Sequence, residues 1–184
     1  MDKESIKRLI VSAIEKLVKN EDNIFKQNIP KLGKSTEKER SLNRELHETT
    51  LNHRFAFYLE IGLTELKVLN YNVDIEYNRN FTDRKKVKIG LIRIPVRPDI
   101  LIHKRINTEI STSNLLVIEA KKHKNTQHDI NKVKGFMEDL QYTYEYGLTI
   151  SYAYDPKKVK AVLYFKDDKN KIITENIEVD RINN

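Results

Sequence analysis

Between Gly62 and Tyr71 the spacing of apolar residues changes from three-and-four to two, and no single class of regular structure satisfies both. Helical patterns come first. Ile6, Leu9, Ile10, Ala13, Ile14, Leu17 and Val18 form one stripe of a helix over 2–20, with Asp2 placed to cap it. Leu51, Phe55, Tyr58 and Leu59 define a second helix over about 43–61, stopped at Gly62. Between them Glu21 to Ser41 is polar, with Pro30 and Gly33 as breakers, and reads as a linker or loop. The chain therefore divides into 1–41, an N-terminal helix with its linker, and a main domain over 42–184.

After the change Tyr71, Val73, Ile75 and Tyr77 alternate with polar residues, which predicts a strand with one wet face. Residues 80–94 read as a long turn rich in Lys and Arg. Val96 to His103 is a second strand, and Pro98 within it has no N–H to donate to a ladder. Asn114 to Lys122 is a third, with Leu115-Leu116-Val117-Ile118 apolar on both faces. A third helix over about 129–146, ended by Gly147, carries Ile130, Val133, Met137, Leu140 and Tyr144. Leu148 to Tyr154 is a strand, and 158–165 pairs with 171–179 as a hairpin. The order α, α, β, β, β, α, β, β, β predicts an α/β (α+β) fold with an N-terminal helical extension.

Composition excludes several chemistries. The 184 residues contain no Cys, which removes disulfides, thiolate zinc sites, iron–sulfur clusters and Cys nucleophiles. Any metal must be held by oxygen or imidazole. No apolar run exceeds five residues, so no transmembrane helix is expected, and the N-terminus lacks the apolar core of a signal peptide. A cytoplasmic protein without membrane contact is the expectation. Lys plus Arg number 34 against 27 Asp plus Glu, a net charge of +7 that favours a polyanionic partner.

Asp99 follows Pro98 in the second strand, and Glu119 lies 20 residues on, near the end of the third. Glu119 and Lys121 share a strand face while Ala120 points away. Two strands joined by a turn of about ten residues set Asp99 and Glu119 side by side. Two carboxylates with a lysine suit phosphodiester hydrolysis. Mg²⁺ takes oxygen ligands and keeps several waters, so Asp99, Glu119 and the Ala120 carbonyl hold it with positions left open. The metal acidifies water and neutralises developing charge, and Lys121 orients the nucleophile. On spacing alone the plainer reading stays open, in which Asp99 ends a strand and Glu119 and Lys121 are an ion pair.

With Pro98-Asp99 and Glu119-Ala120-Lys121 on neighbouring strands between helices, the chain resembles the PD-(D/E)xK nuclease superfamily, close to small bacterial members. The resemblance rests on Glu48–Leu59, Val73–Arg79, Pro98–His103 and Asn114–Lys122. It implies a restriction-endonuclease-like fold, a central mixed β-sheet flanked by helices. It also implies an Mg²⁺-dependent nuclease, with Mn²⁺ able to substitute, acting on DNA ahead of RNA in restriction, repair or mobile-element defence. Asp99 and Glu119 would be metal ligands and Lys121 the residue that activates the nucleophile. Glu48 matches a further acidic ligand, with Glu45 as its rival and Glu76 as another contributor. The superfamily includes inactive members, so a silent nucleic-acid- or protein-binding module is the alternative, and a homodimer stays open.

Beyond the site, Lys122, Lys124, Lys132, Lys134 and Gln141 are candidates for contact with a nucleic-acid backbone, placed just after the third strand and on the third helix. The run Arg84-Lys85-Lys86-Val87-Lys88 is a second basic cluster. His103, His123 and His128 lack the spacing of a zinc site.

Overall fold

The computed structural model describes residues 1–21, 48–77, 79–80, 83–89, 92–105, 114–153, 155 and 157–181. Its centre is a six-stranded sheet. In chain order the elements are α1 (Lys3–Asn20), α2 (Glu48–Glu65), β1 (Asn72–Ile75), β2 (Arg79–Asn80), β3 (Asp83–Arg84), β4 (Lys86–Ile89), β5 (Ile92–Pro95), β6 (Ile100–His103), β7 (Asn114–Lys121), α3 (Gln127–Glu138), β8 (Tyr144–Ser151), β9 (Lys158–Lys166) and β10 (Ile172–Asp180). The sheet order is β1-β6-β7-β8-β9-β10. Only β7 and β8 run parallel, because α3 carries the chain back between them; every other neighbouring pair is antiparallel. The protein is therefore α+β, with a mixed sheet flanked by helices.

Both faces of the sheet are covered. On one, α1 and α2 pack their apolar stripes against Ile100, Ile102, Leu116, Ile118, Leu148 and Ile150. On the other, Leu101 and Val117 meet Val133, Phe136 and Met137 of α3, with Val87 of β4 closing the side. Double coverage explains the run Leu115 to Ile118, in which every residue is fully buried.

Several expectations need correction. The helix expected as an N-terminal extension is part of the main core, since all seven residues of its stripe join the cluster built by α2 and the sheet. Asp2 does cap it, accepting from the Ser5 N–H at 2.7 Å. Gly62 lies inside α2 rather than ending it, because a Cβ there would sit 2.4 Å from Leu9 Cδ1 where the two helices meet. The helix ends three residues later, and Lys67 takes the left-handed turn with φ 55°. Within 80–94 the described residues form strands, with β2 pairing β3 and β4 pairing β5. The third helix ends at Glu138, eight residues early. Asp139 is extended, Leu140 is 91% exposed, and Thr143 at φ 47° turns the β-favouring Tyr144 and Tyr146 into β8. Gly147 is a strand residue that admits α3, since its Cβ would lie 2.2 Å from Val133 Cγ1.

The C-terminal hairpin follows expectation. Val159, Ala161 and Leu163 of β9 are buried, and the turn is held by the Asp167 carboxylate, which accepts from the Lys169 and Lys171 N–H groups. Among the described residues no helix is long and apolar enough to cross a membrane.

One buried residue is costly. Lys85, just before β4, is 3% exposed and forms no ion pair among the described residues. Its ammonium lies 5.2, 5.8 and 5.9 Å from the rings of Tyr77, Tyr142 and Tyr144. Burial lowers its pKa from 10.5 to about 8, with Asp74 opposing the shift. The unfolded chain holds this proton to about 10.5 and the folded one releases it near 8, so stability rises with pH between these values. Lys85→Met should remove that rise and stabilise the protein at pH 7 by up to about 3 kcal/mol. Thermal unfolding of both proteins at neutral and alkaline pH checks this; a wild-type stability that falls between pH 8 and 10 while the variant's stays level would contradict it.

Candidate active site

The site forms where β6 begins and β7 ends. Pro98 cannot join the ladder, so the chain enters the sheet at Asp99 and Ile100. Ile100 faces Ile118, the last paired position between these strands. Beyond it the Asp99 side chain takes over, its Oδ2 accepting the Ala120 N–H at 2.8 Å. The Asp99 carbonyl accepts the Glu76 N–H at 2.9 Å, which ties the same point to the end of β1. Asp99 thereby clasps three strands.

Glu119 is 0% exposed and shares the α3-facing side of β7 with Val117. Its Oε2 accepts from the Lys132 ammonium, and its Oε1 is buried with no partner among the described residues. Lys132 Nζ is also 3.6 Å from Asp129 Oδ1. Both come from the start of α3, which a capping box fixes: Thr126 Oγ1 accepts from the Asp129 N–H while Asp129 accepts from the Thr126 N–H at 2.8 Å. Asn125, one residue earlier, anchors the loop to β8 by donating to the Ile150 carbonyl and the Ser151 hydroxyl.

Lys121 reaches over the strand end. Its Nζ is 3.1 Å from Glu48 Oε1 and 3.8 Å from Asp99 Oδ2. The second Glu48 oxygen accepts the Lys122 N–H at 2.9 Å, so the start of α2 is pinned to the end of β7. Behind them Tyr152, fully buried, donates its hydroxyl hydrogen to Asn52 of α2 at 3.0 Å.

Burial and then the Asp99 charge push Glu119 up to about 7, against the pull of Lys132. Burial also raises Asp99, against its bond from Ala120 and the lysine charges. Lys121 is raised as well: burial opposes its charge, yet Asp99 and Glu48 together outweigh it. Four carboxylates, Glu48, Asp99, Glu119 and Asp129, thus meet two ammonium groups, Lys121 and Lys132. A surplus of negative charge beside an unpartnered carboxylate oxygen, in an all-oxygen setting, suits one hard divalent cation. No group of three or more His, Asp or Glu gathered as a metal cluster occurs among the described residues. A cation here would therefore depend on Asp99, Glu119, main-chain oxygen and water.

The structure gathers Asp99, Glu119, Lys121 and Glu48, and Ala120 contributes its N–H to Asp99 while its side chain packs in the α1–α2 core. Glu45 lies outside the described residues. Glu76 is exposed and paired with Arg97 at 3.3 Å. Lys124 is exposed beyond β7, and Lys134 sits half-buried two residues past Lys132, on another side of α3. Two candidates for phosphate contact need correction. Lys132 turns inward to Glu119 because a buried carboxylate demands a counter-charge. Gln141 accepts from Arg93 Nη1 at 3.2 Å in the turn before β8, at the sheet end where Asn114 pairs with Tyr144. That is the end opposite Glu119. His103 is buried against Asp74 at 2.8 Å, and His123 and His128 are exposed.

Sequence reading missed the inward role of Lys132 and its support from Asp129 and Thr126. The signal was present: Thr126-x-x-Asp129 is a capping pattern, and Lys132 follows Asp129 by one helical turn. Comparison with family models, with curated proteins and with solved structures finds no match.

Because the cap also fixes Lys132, Thr126→Ala should lower stability by about 1 kcal/mol. A denaturant midpoint unchanged from wild type would show that the cap contributes nothing.

Proposed function

We propose that this protein is a metal-dependent nuclease of the PD-(D/E)xK kind, with a restriction-endonuclease-like fold, hydrolysing phosphodiester bonds of DNA ahead of RNA. The observation that carries the reading is the fully buried Glu119, one oxygen unpartnered among the described residues, beside Asp99 and the Lys121 ammonium. The mixed sheet, with a helix crossing between β7 and β8, is compatible with it.

Asp99 and Glu119, with the Ala120 carbonyl, would hold Mg²⁺ or Mn²⁺. When bound, the ion supplies Lewis acidity toward the phosphate and an acidified water. Lys121 donates hydrogen bonds to the attacking water or to a phosphate oxygen, and its ammonium offsets charge on that phosphate. Glu48 orients Lys121 through their 3.1 Å contact. The same residues would serve RNA, so the choice between the two is made by assay. A second reading, a binding module without catalysis, is favoured by Lys132, which already neutralises Glu119 without any metal.

The deciding experiment incubates the purified chain with mixed DNA and RNA substrates, with Mg²⁺, with Mn²⁺ and with chelator. Divalent-dependent cleavage is expected, reduced about 10²-fold or more by Asp99→Ala, Glu119→Ala or Lys121→Ala. Glu48→Gln should lower it by about tenfold, the loss typical of a group that orients a catalytic neighbour. Binding of nucleic acid without cleavage under any condition would establish the second reading instead.

A further inference from the structure

Lys132 is placed unlike the lysines that decorate the rest of the surface. Its side chain is 15% exposed, and its ammonium lies between Glu119, 0% exposed, and Asp129, 6% exposed. The two carboxylates come from different elements, β7 and α3, and converge on one cation. Asp129 is one helical turn from Lys132 and is held in place by the Thr126 cap. Both groups that meet the Lys132 ammonium are carboxylates, the donors a hard metal ion takes.

The two oxygens of Glu119 are divided. Oε2 belongs to Lys132, and Oε1 has no partner among the described residues, on a side chain that feels the charge of Asp99. A carboxylate that bridges two cations would present itself in this way, one oxygen to each. Here one of the two cations is built into the chain. We propose that the Lys132 ammonium occupies the position of a second divalent ion, bridging Glu119 and Asp129, so that the site takes one metal ion rather than two. This deepens the nuclease reading and rests on it for the ion shared by Asp99 and Glu119, but the position filled by Lys132 can be tested by itself.

The test is Mn²⁺ binding, counted by electron paramagnetic resonance and by titration calorimetry without nucleic acid. Wild type is expected to bind one ion. Lys132→Ala opens the position and should bind two, the second lost again in the double variant Lys132→Ala/Asp129→Asn. Lys132→Arg keeps the charge and should bind one. A wild type that binds none while Lys132→Ala gains one would sustain the position filled by Lys132 and count against the ion shared by Asp99 and Glu119. One ion in both proteins, at equal affinity, would overturn the inference and leave the nuclease reading standing.

Lys132→Ala leaves a buried carboxylate without a counter-charge and is expected to be less stable than wild type. Its thermal midpoint then carries the same information. An ion that binds only the folded state raises the midpoint, so Mn²⁺ should raise that of Lys132→Ala more than that of wild type. Equal shifts in the two proteins would count against the built-in cation.

Discussion

A carboxylate buried at the end of the central strand sets the terms for the rest of this fold. Glu119 is wholly removed from water, on a strand whose two faces are both covered. An ionised group there is expensive unless a cation meets it. The chain answers from its next element. Directly after β7 it turns, caps α3 with Thr126 and Asp129, and delivers Lys132 back to Glu119. The helix that makes the parallel β7–β8 crossover possible is also the one that supplies the counter-charge. Packing and electrostatics therefore constrain the same dozen residues, and the start of α3 has little freedom to move relative to the sheet.

The second constraint acts on the strand ends. Asp99, Lys121 and Glu48 form a chain of contacts from β6 through β7 to α2. Each contact replaces a ladder or helix bond that ends at this point: Asp99 satisfies an N–H of β7 beyond the last β6 pair, and Glu48 satisfies the N–H of Lys122 beyond the strand. Residues proposed to act on a phosphate thus already serve as backbone acceptors. Removal of either carboxylate is a structural change as well as a chemical one, which is why metal binding and thermal stability are informative readouts beside cleavage.

The opposite end of the sheet is built on different physics. There Lys85 is enclosed by tyrosine rings rather than by carboxylates, and Tyr142 fastens β4 by donating to the Lys86 carbonyl while accepting its N–H. Aromatic faces hold a cation less strongly than a carboxylate does, and burial lowers the pKa of Lys85 accordingly. Arg93, bonded to Asp139 and Gln141, closes the same end against the C-terminus of α3. The two ends of α3 are thus secured by unlike means, a buried ion pair at its start and an aromatic and hydrogen-bonded ribbon at its finish.

How much of this was legible depended on the range of the interaction. The stripe of α1, the alternation of the hairpin strands and the run Leu115 to Ile118 are local patterns, and the sequence by itself determined these elements and the face each would bury. It also placed Asp99, Glu119 and Lys121 on neighbouring strands, because strand alternation and one connecting turn carry that information. Gly62 and Gly147 misled as helix stops, since what each glycine answers is a side chain distant in sequence, Leu9 in one case and Val133 in the other. The third helix read too long because Leu140 and Tyr144 match helical spacing, while only the sheet could claim Tyr144 for β8. For Lys132 the local signal, the Thr126–Asp129 cap one turn before it, was legible, but the direction of its side chain was not. A lysine on a polar helix face reads as solvated until the tertiary structure sets a buried carboxylate beneath it, and the cost of leaving that charge unmatched turns the side chain inward.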